Sequence, residues 1–244
     1  MTGACIESIF DLFESMFFRE RSTQAEYFDV PDRPKAELVE AYQELDRINR
    51  FFHFTHPFVS SLPRWLGKGR CQRLEILDVG AGSGLLGKVL SKWARRRGWD
   101  WRFTNLDTNT IVLNSEGAIK AVIGSALELP FEDRSFDLVV ASQMTHHLTE
   151  VEIVRHWREA WRVTRDAIFI CDLHRNAFLY GMLWLTLRLM RVHPTLLEDG
   201  LISVRRGFHR RDWCELAARA EIFDSKVWVY YGTRIVLQAR KGAR

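Results

Sequence analysis

The sequence predicts an α/β fold: a doubly wound, seven-stranded sheet, mostly parallel with its last strand reversed, with N-terminal helices and an inserted helical lid. Three observations predict it. From Arg73 onward, short apolar runs alternate with helical patterns, as in a parallel sheet covered by helices on both faces. The first run ends in Gly80-Ala81-Gly82-Ser83-Gly84, a glycine-rich turn from strand to helix. The last two β-rich runs, 226–231 and 234–239, are joined by Gly232-Thr233, a two-residue connection that permits only antiparallel pairing.

Each element follows from its residues. Ile6, Ile9, Phe10, Phe13 and Phe17 fall at helical spacing and predict an aromatic amphipathic helix over 4–18. Pro31 and Pro34 break the chain before a second helix over 35–52, with Leu38, Ala41, Tyr42, Leu45 and Ile48 on one face. Strands are expected at 74–79, 101–106, 121–123, 136–141 and 167–171, and helices at 83–97, 109–117 and 150–163. Residues 1–72 read as a helical cap segment and 73–244 as the sheet domain, with a lid inserted at about 173–210.

Composition narrows the function classes. Of 244 residues, 47% are hydrophobic and 27% charged, which excludes wholesale disorder. The formal charge of +4 permits an anionic ligand without demanding nucleic acid. Arg95-Arg96-Arg97 and the cluster Arg205-Arg206 with His209-Arg210-Arg211 read as solvated faces or helix ends. Cys5, Cys71, Cys171 and Cys214 show no C-x-x-C spacing, so a reducing cytoplasm is the expected compartment. Glu7, Asp11 and Glu14 interrupt the first apolar segment, which does not read as a signal peptide. The apolar run 177–187 is too short to span a bilayer, although Arg188 and Arg191 beside it allow peripheral membrane contact.

The glycine turn carries the chemistry. Gly80, Gly82 and Gly84 let the backbone turn sharply and approach a nucleoside. Gly82 to Gly87 also satisfies the dinucleotide pattern G-x-G-x-x-G, so an NAD(P)-dependent oxidoreductase stays open on the glycines alone. Two acids tip the balance. Asp78, two positions before Gly80, attracts an ammonium group and gives a phosphate nothing. Asp107, 23 positions after Gly84, sits where a carboxylate accepts from ribose hydroxyls. Together they describe a nucleoside with a cationic amino-acid tail, S-adenosyl-L-methionine.

On these residues the chain resembles the class I S-adenosylmethionine-dependent methyltransferases of small-molecule type, and more loosely those of bacterial polyketide and quinone pathways. Asp78 to Gly84 matches their first motif, and Asp107 with Thr108 their second-strand acidic position. Gly124-Ser125-Ala126-Leu127-Glu128-Leu129-Pro130-Phe131 matches the adenine-side loop, and Ser142-Gln143-Met144-Thr145-His146-His147 the segment after the fourth strand. The resemblance implies that Asp78, Gly80, Ala81, Gly82 and Gly84 hold the methionine part, Asp107 and Thr108 the ribose, and Ser125, Ala126 and Leu127 the adenine, with Ser142 and Gln143 beside them. Ser125 departs from the usual Asp and offers a weaker acceptor.

Methyl transfer is an in-line displacement, and in this fold the methyl group faces the ends of the fourth and fifth strands. His147 is the first candidate base, His174 the second, and His146 the third. Asp172 is read as orienting a histidine or closing a helix cap. The three histidines lack clear carboxylate partners in sequence, so no metal is expected. The acceptor is expected to be small and lipophilic or aromatic, methylated on oxygen, with carbon methylation of a quinone-like or polyketide acceptor as the alternative. A non-catalytic cofactor-fold protein is the rival of another class. A nucleic-acid acceptor is disfavoured, because the base-flipping motif is replaced by Ser142-Gln143-Met144-Thr145.

Overall fold

A computed structural model describes residues 18–29, 34–67, 69–109 and 119–242. The aromatic N-terminal helix, apart from Phe18, and the helix expected at 109–117, apart from Asn109, lie outside the described residues. The strands are β1 (Arg73–Val79), β2 (Asp100–Asp107), β3 (Lys120–Ile123), β4 (Phe136–Ser142), β5 (Thr164–Leu173), β6 (Ser225–Tyr230) and β7 (Arg234–Arg240). The helices are α1 (Lys35–Phe51), α2 (His56–Leu66), α3 (Leu85–Arg95), α4 (Glu150–Val163), α5 (Ala177–Leu189), α6 (Pro194–Arg206) and α7 (Arg210–Arg219).

The strands form one sheet in the order β3-β2-β1-β4-β5-β7-β6. All neighbours from β3 to β5 pair in parallel, and β7 pairs antiparallel with both β5 and β6. The strand order reverses between β1 and β4. In a doubly wound sheet, the crevice outside the strand ends at such a point receives the ligand.

The alternation of side chains along each strand builds two cores. Leu77, Val79, Val139, Ala141, Ile168 and Ile170 face α4 and α7, which contribute Ile153, Trp157, Trp213 and Leu216. Ile76, Leu138, Val140 and Phe169 face the opposite way, against Leu86 and Leu90 of α3 and Phe58 and Leu62 of α2. Because both faces are covered, the central strands are buried at most positions. The sequence reading did not foresee α2 as a helix, since Pro57 and Pro63 mask its pattern. Pro57 sits in the first turn, where a missing N–H is harmless. The segment read as a cap thus supplies a helix to the sheet's own core.

Local chemistry sets the boundaries. Thr149 and Glu152 close a capping box on α4, and Asn176 Oδ1 accepts from Leu179 N at 2.8 Å to start α5. The β6–β7 connection has three residues, not the expected two. Tyr231 and Gly232 both take positive φ (45° and 69°), so Tyr231 leaves the ladder and Tyr230 pairs with Arg234. The stretch expected to form a lid folds as two helices, α5 and α6.

Candidate functional site

The chain turns out of β1 through glycines whose conformation is required. Gly80 (φ +69°) and Gly82 (φ +52°) lie in the left-handed region. A Cβ on Gly80 would come within 2.2 Å of Met144 Cγ, and one on Gly82 within 2.9 Å of Tyr42 Cε1. Gly84, also left-handed, caps α3. The N–H groups of Gly80 and Ala81 donate to Leu106 O at 2.8 and 3.1 Å, tying the turn to β2.

The two acids meet at this turn. Asp107 Oδ2 accepts from Gly82 N and Oδ1 from Asn109 N, both at 2.8 Å. Asp78 is buried, and its Oδ2 has no hydrogen-bond partner. Burial, and then the neighbouring charge of Asp107, pushes the Asp78 carboxyl well above its ordinary range. Burial also raises Asp107, against the backbone N–H groups that favour its charge. A cation set between them would relieve both.

One cavity of about 470 Å³ gathers the expected cofactor residues: Asp78, Gly80, Ala81, Gly82, Asp107, Thr108, Ser125, Ala126, Leu127, Ser142 and Gln143 all line it. Gly84 is not in the cavity wall and caps the helix behind the turn. Ser125 Oγ accepts from Leu127 N at 3.1 Å, so the hydroxyl that replaces the usual carboxylate shapes its own loop. Ala126 O lies 3.3 Å from Nδ1 of His156, a fully buried imidazole that burial holds neutral, down to a pKa of about 4.

Helix α1 roofs the turn with residues that the sequence does not mark as part of the site. Tyr42 and Asp46 line the cavity, and Ser83 Oγ donates to Asp46 Oδ1 at 2.7 Å. Gln143 Nε2 donates to Asn49 Oδ1 at 2.9 Å. Ile48 and Asn49 of the same helix also reach the cavity.

The far end combines an apolar wall with a charged corner. Leu45, Ile48 and Phe52 of the α1 region, Leu173 of β5 and Leu179, Leu183 and Leu187 of α5 make the wall. In the corner, His146 Nδ1 is 2.6 Å from Asp172 Oδ1, and its Nε2 is 3.6 Å from Glu26 Oε1. Burial opposes charge on this imidazole, but Asp172 and Glu26 outweigh it and raise the pKa to about 10. His147 Nδ1 is 2.6 Å from Asp29 Oδ1, and its Nε2 is 3.9 Å from Glu26 Oε2. Asp172 therefore orients His146, not His147.

His174 does not join them. Its Nδ1 is 3.1 Å from Gly232 O and 2.8 Å from Asn176 Nδ2, and it is absent from the cavity wall. Arg206, read in sequence as a solvated charge, is buried instead. It donates from Nε to His146 O at 3.0 Å and pairs through Nη1 with Asp29. Glu26, His146 and His147 bring ligand-type atoms within 4.8 Å of one another. Arg206 Nη1 already stands 3.5 Å from Glu26 Oε1, so the cluster's negative charge is met by a guanidinium and by protons. Glu26, Asp29 and Arg206 carry no sequence signal, because they meet the histidines only through tertiary folding.

Comparison with known proteins agrees with this geometry. Residues 77–171 match the family model described as a methyltransferase domain. Over these residues the chain is similar to a methyltransferase domain. A stretch of 107 residues is 35% identical to the ubiquinone/menaquinone biosynthesis C-methyltransferase of Rickettsia akari, covering 39% of this chain and 42% of that protein, so the match spans less than half of the curated relative. Among solved structures, a SAM-dependent methyltransferase from Aquifex aeolicus matches with TM-score 0.58 at 15% identity, over 86% of this chain and 99% of that one. A candidate S-adenosyl-L-methionine-dependent methyltransferase from Methanococcus maripaludis matches with TM-score 0.62 at 18% identity, over 88% and 98%. At these identities the two structures speak for the shared fold. Among the described residues, no helix of the domain is long and apolar enough to cross a membrane.

Proposed function

We propose that this chain transfers a methyl group from S-adenosyl-L-methionine to a small, largely apolar acceptor. The observation that carries the proposal is the continuity of one cavity, from the Asp78–Asp107 turn to the leucine wall and histidine corner. When bound, the cofactor supplies an electrophilic methyl group on a sulfonium. The unpartnered Asp78 Oδ2 and the open glycine turn are the features that fit it. Asp78 and the turn would hold the methionine part, Asp107 and Thr108 the ribose, and Ser125 to Leu127 the adenine.

The chain's own residues then position the acceptor. Leu173, Leu179, Leu183 and Leu187 exclude water and hold an apolar ring or tail. His146, flanked by two carboxylates, keeps its proton and serves as a fixed positive charge. His147, held by Asp29, offers Nε2 to an acceptor proton. The Rickettsia relative is a C-methyltransferase by name, which favours a quinone-like acceptor methylated on carbon. Oxygen methylation is the second reading, favoured by the place of His147 on the cavity wall. Contact with a lipid surface is supported by the exposed Phe178, Trp184, Leu185 and Leu189 on the outer side of α5, beside Arg188.

The test is methyl transfer from S-adenosyl-L-methionine carrying a radiolabelled methyl group to a panel of quinols and phenols, with the product atom assigned by NMR. Label in a quinol or phenol product is the expected result. Full binding of the cofactor with no transfer to any of them would favour a non-catalytic binding protein.

A further inference from the structure

Arg234 opens β7 and lies in register with Leu173, the last residue of β5. It is 8% exposed, and it lines both the large cavity and a second one of about 310 Å³ bounded by Phe52, Phe54 and Tyr230. A guanidinium carries five N–H donors and cannot shed its charge at ordinary pH, so burying one without an anion is unfavourable. The other buried arginines obey this rule: Arg175 pairs with Asp212, and Arg206 with Asp29.

Arg234 does not. Among the described residues, its hydrogen bonding is limited to Nη1 donating to Thr233 O at 3.3 Å, and no carboxylate stands within ion-pair distance. Asp172 is the nearby anion, but its oxygens are taken by His146 Nδ1, His146 N and Leu173 N at 2.6, 3.1 and 2.7 Å. The remaining donors of Arg234 therefore face cavity space beside the leucine wall.

We propose that Arg234 is the anion-recognition residue of the acceptor site, and that the acceptor carries a carboxylate or phenolate received by this guanidinium while its apolar body lies along Leu173, Leu179 and Leu183. The proposal rests on the methyl-transfer reading only for calling the ligand an acceptor. The charge preference at Arg234 exists whether or not methyl is transferred. A charged, planar donor set buried among leucines selects an amphiphilic anion over a neutral molecule of the same shape.

The experiment is calorimetric titration of the full chain with 2-naphthoate and with 2-naphthylmethanol, each with and without S-adenosylhomocysteine. Wild type is expected to bind the naphthoate about tenfold or more tightly than the alcohol. Arg234→Met is expected to abolish that preference and Arg234→Lys to retain part of it. Equal affinities in wild type overturn the proposal, and this comparison needs no variant that might misfold. A preference that survives in Arg234→Met also overturns it. So does a loss of S-adenosylhomocysteine affinity in Arg234→Met with the naphthoate preference intact, which would give the guanidinium to the cofactor's carboxylate. Failure of wild type to bind S-adenosylhomocysteine counts against methyl transfer and leaves the naphthoate comparison readable.

Discussion

Acidification is predicted to destabilise the domain through His156. This imidazole is fully buried on α4, with Nδ1 3.3 Å from Ala126 O and Nε2 without a hydrogen-bond partner. Burial, only partly countered by the Ala126 hydrogen bond, lowers its pKa from 6.5 to about 4. The unfolded chain therefore takes up a proton at higher pH than the folded one. The stabilising contribution is complete above the unfolded value and is lost as pH falls through 6.5 towards 4. Linkage puts the loss at roughly 2 kcal/mol at about pH 5 and roughly 3 kcal/mol once both forms are protonated.

His146 acts in the opposite direction. Its raised pKa, about 10, gives stability that is full below 6.5 and is lost as pH rises through 10. The wild-type profile alone mixes the two, so the measurement is a difference. His156→Gln keeps a donor for Ala126 O and removes the titration. Urea unfolding of both proteins at about pH 7.5 and pH 5 should show the variant gaining roughly 2 kcal/mol on wild type at the lower pH. Parallel profiles would refute the assignment of a neutral, buried imidazole beneath the adenine-side loop.

Three further outcomes are expected. Asp107→Ala should weaken S-adenosylhomocysteine binding by about tenfold or more in calorimetry, because the carboxylate proposed to accept from the ribose is lost together with the anchor of Gly82 N; unchanged affinity would remove Asp107 from the site. Gly80→Ala should cost roughly 2–4 kcal/mol of stability in urea unfolding, from a left-handed alanine and a Cβ driven into Met144, whereas a neutral result would mean that the turn relaxes freely. His147→Ala should lower turnover with little change in cofactor affinity, read from kcat beside a binding titration, and wild-type turnover would take His147 out of the mechanism.

The sheet was legible because its determinants are local. Buried strands such as Leu74 to Val79 and Phe136 to Ala141 are short, largely apolar runs, and the turn after β1 needs glycine at positive φ. The glycine-turn end of the cavity was legible for the same reason, since Asp78, Gly80, Gly82 and Asp107 sit at the ends of neighbouring parallel strands. The charged corner was not. Glu26 and Asp29 lie far along the chain from His146 and His147, and Arg206 looks in sequence like any basic residue at a helix end. Helix α2 escaped because two prolines hide an apolar face that only the sheet reveals. The tie between Asp172 and His146 needed the β4–β5 register, which sets Ser142 beside Cys171.

The most direct measurement is calorimetry of the wild-type chain with S-adenosylhomocysteine and, separately, with NADH. If Asp78 and Asp107 bracket the glycine turn to receive a cationic nucleoside, the homocysteine compound binds one-to-one and NADH gives no heat. Binding of NADH, or silence with S-adenosylhomocysteine, would contradict it.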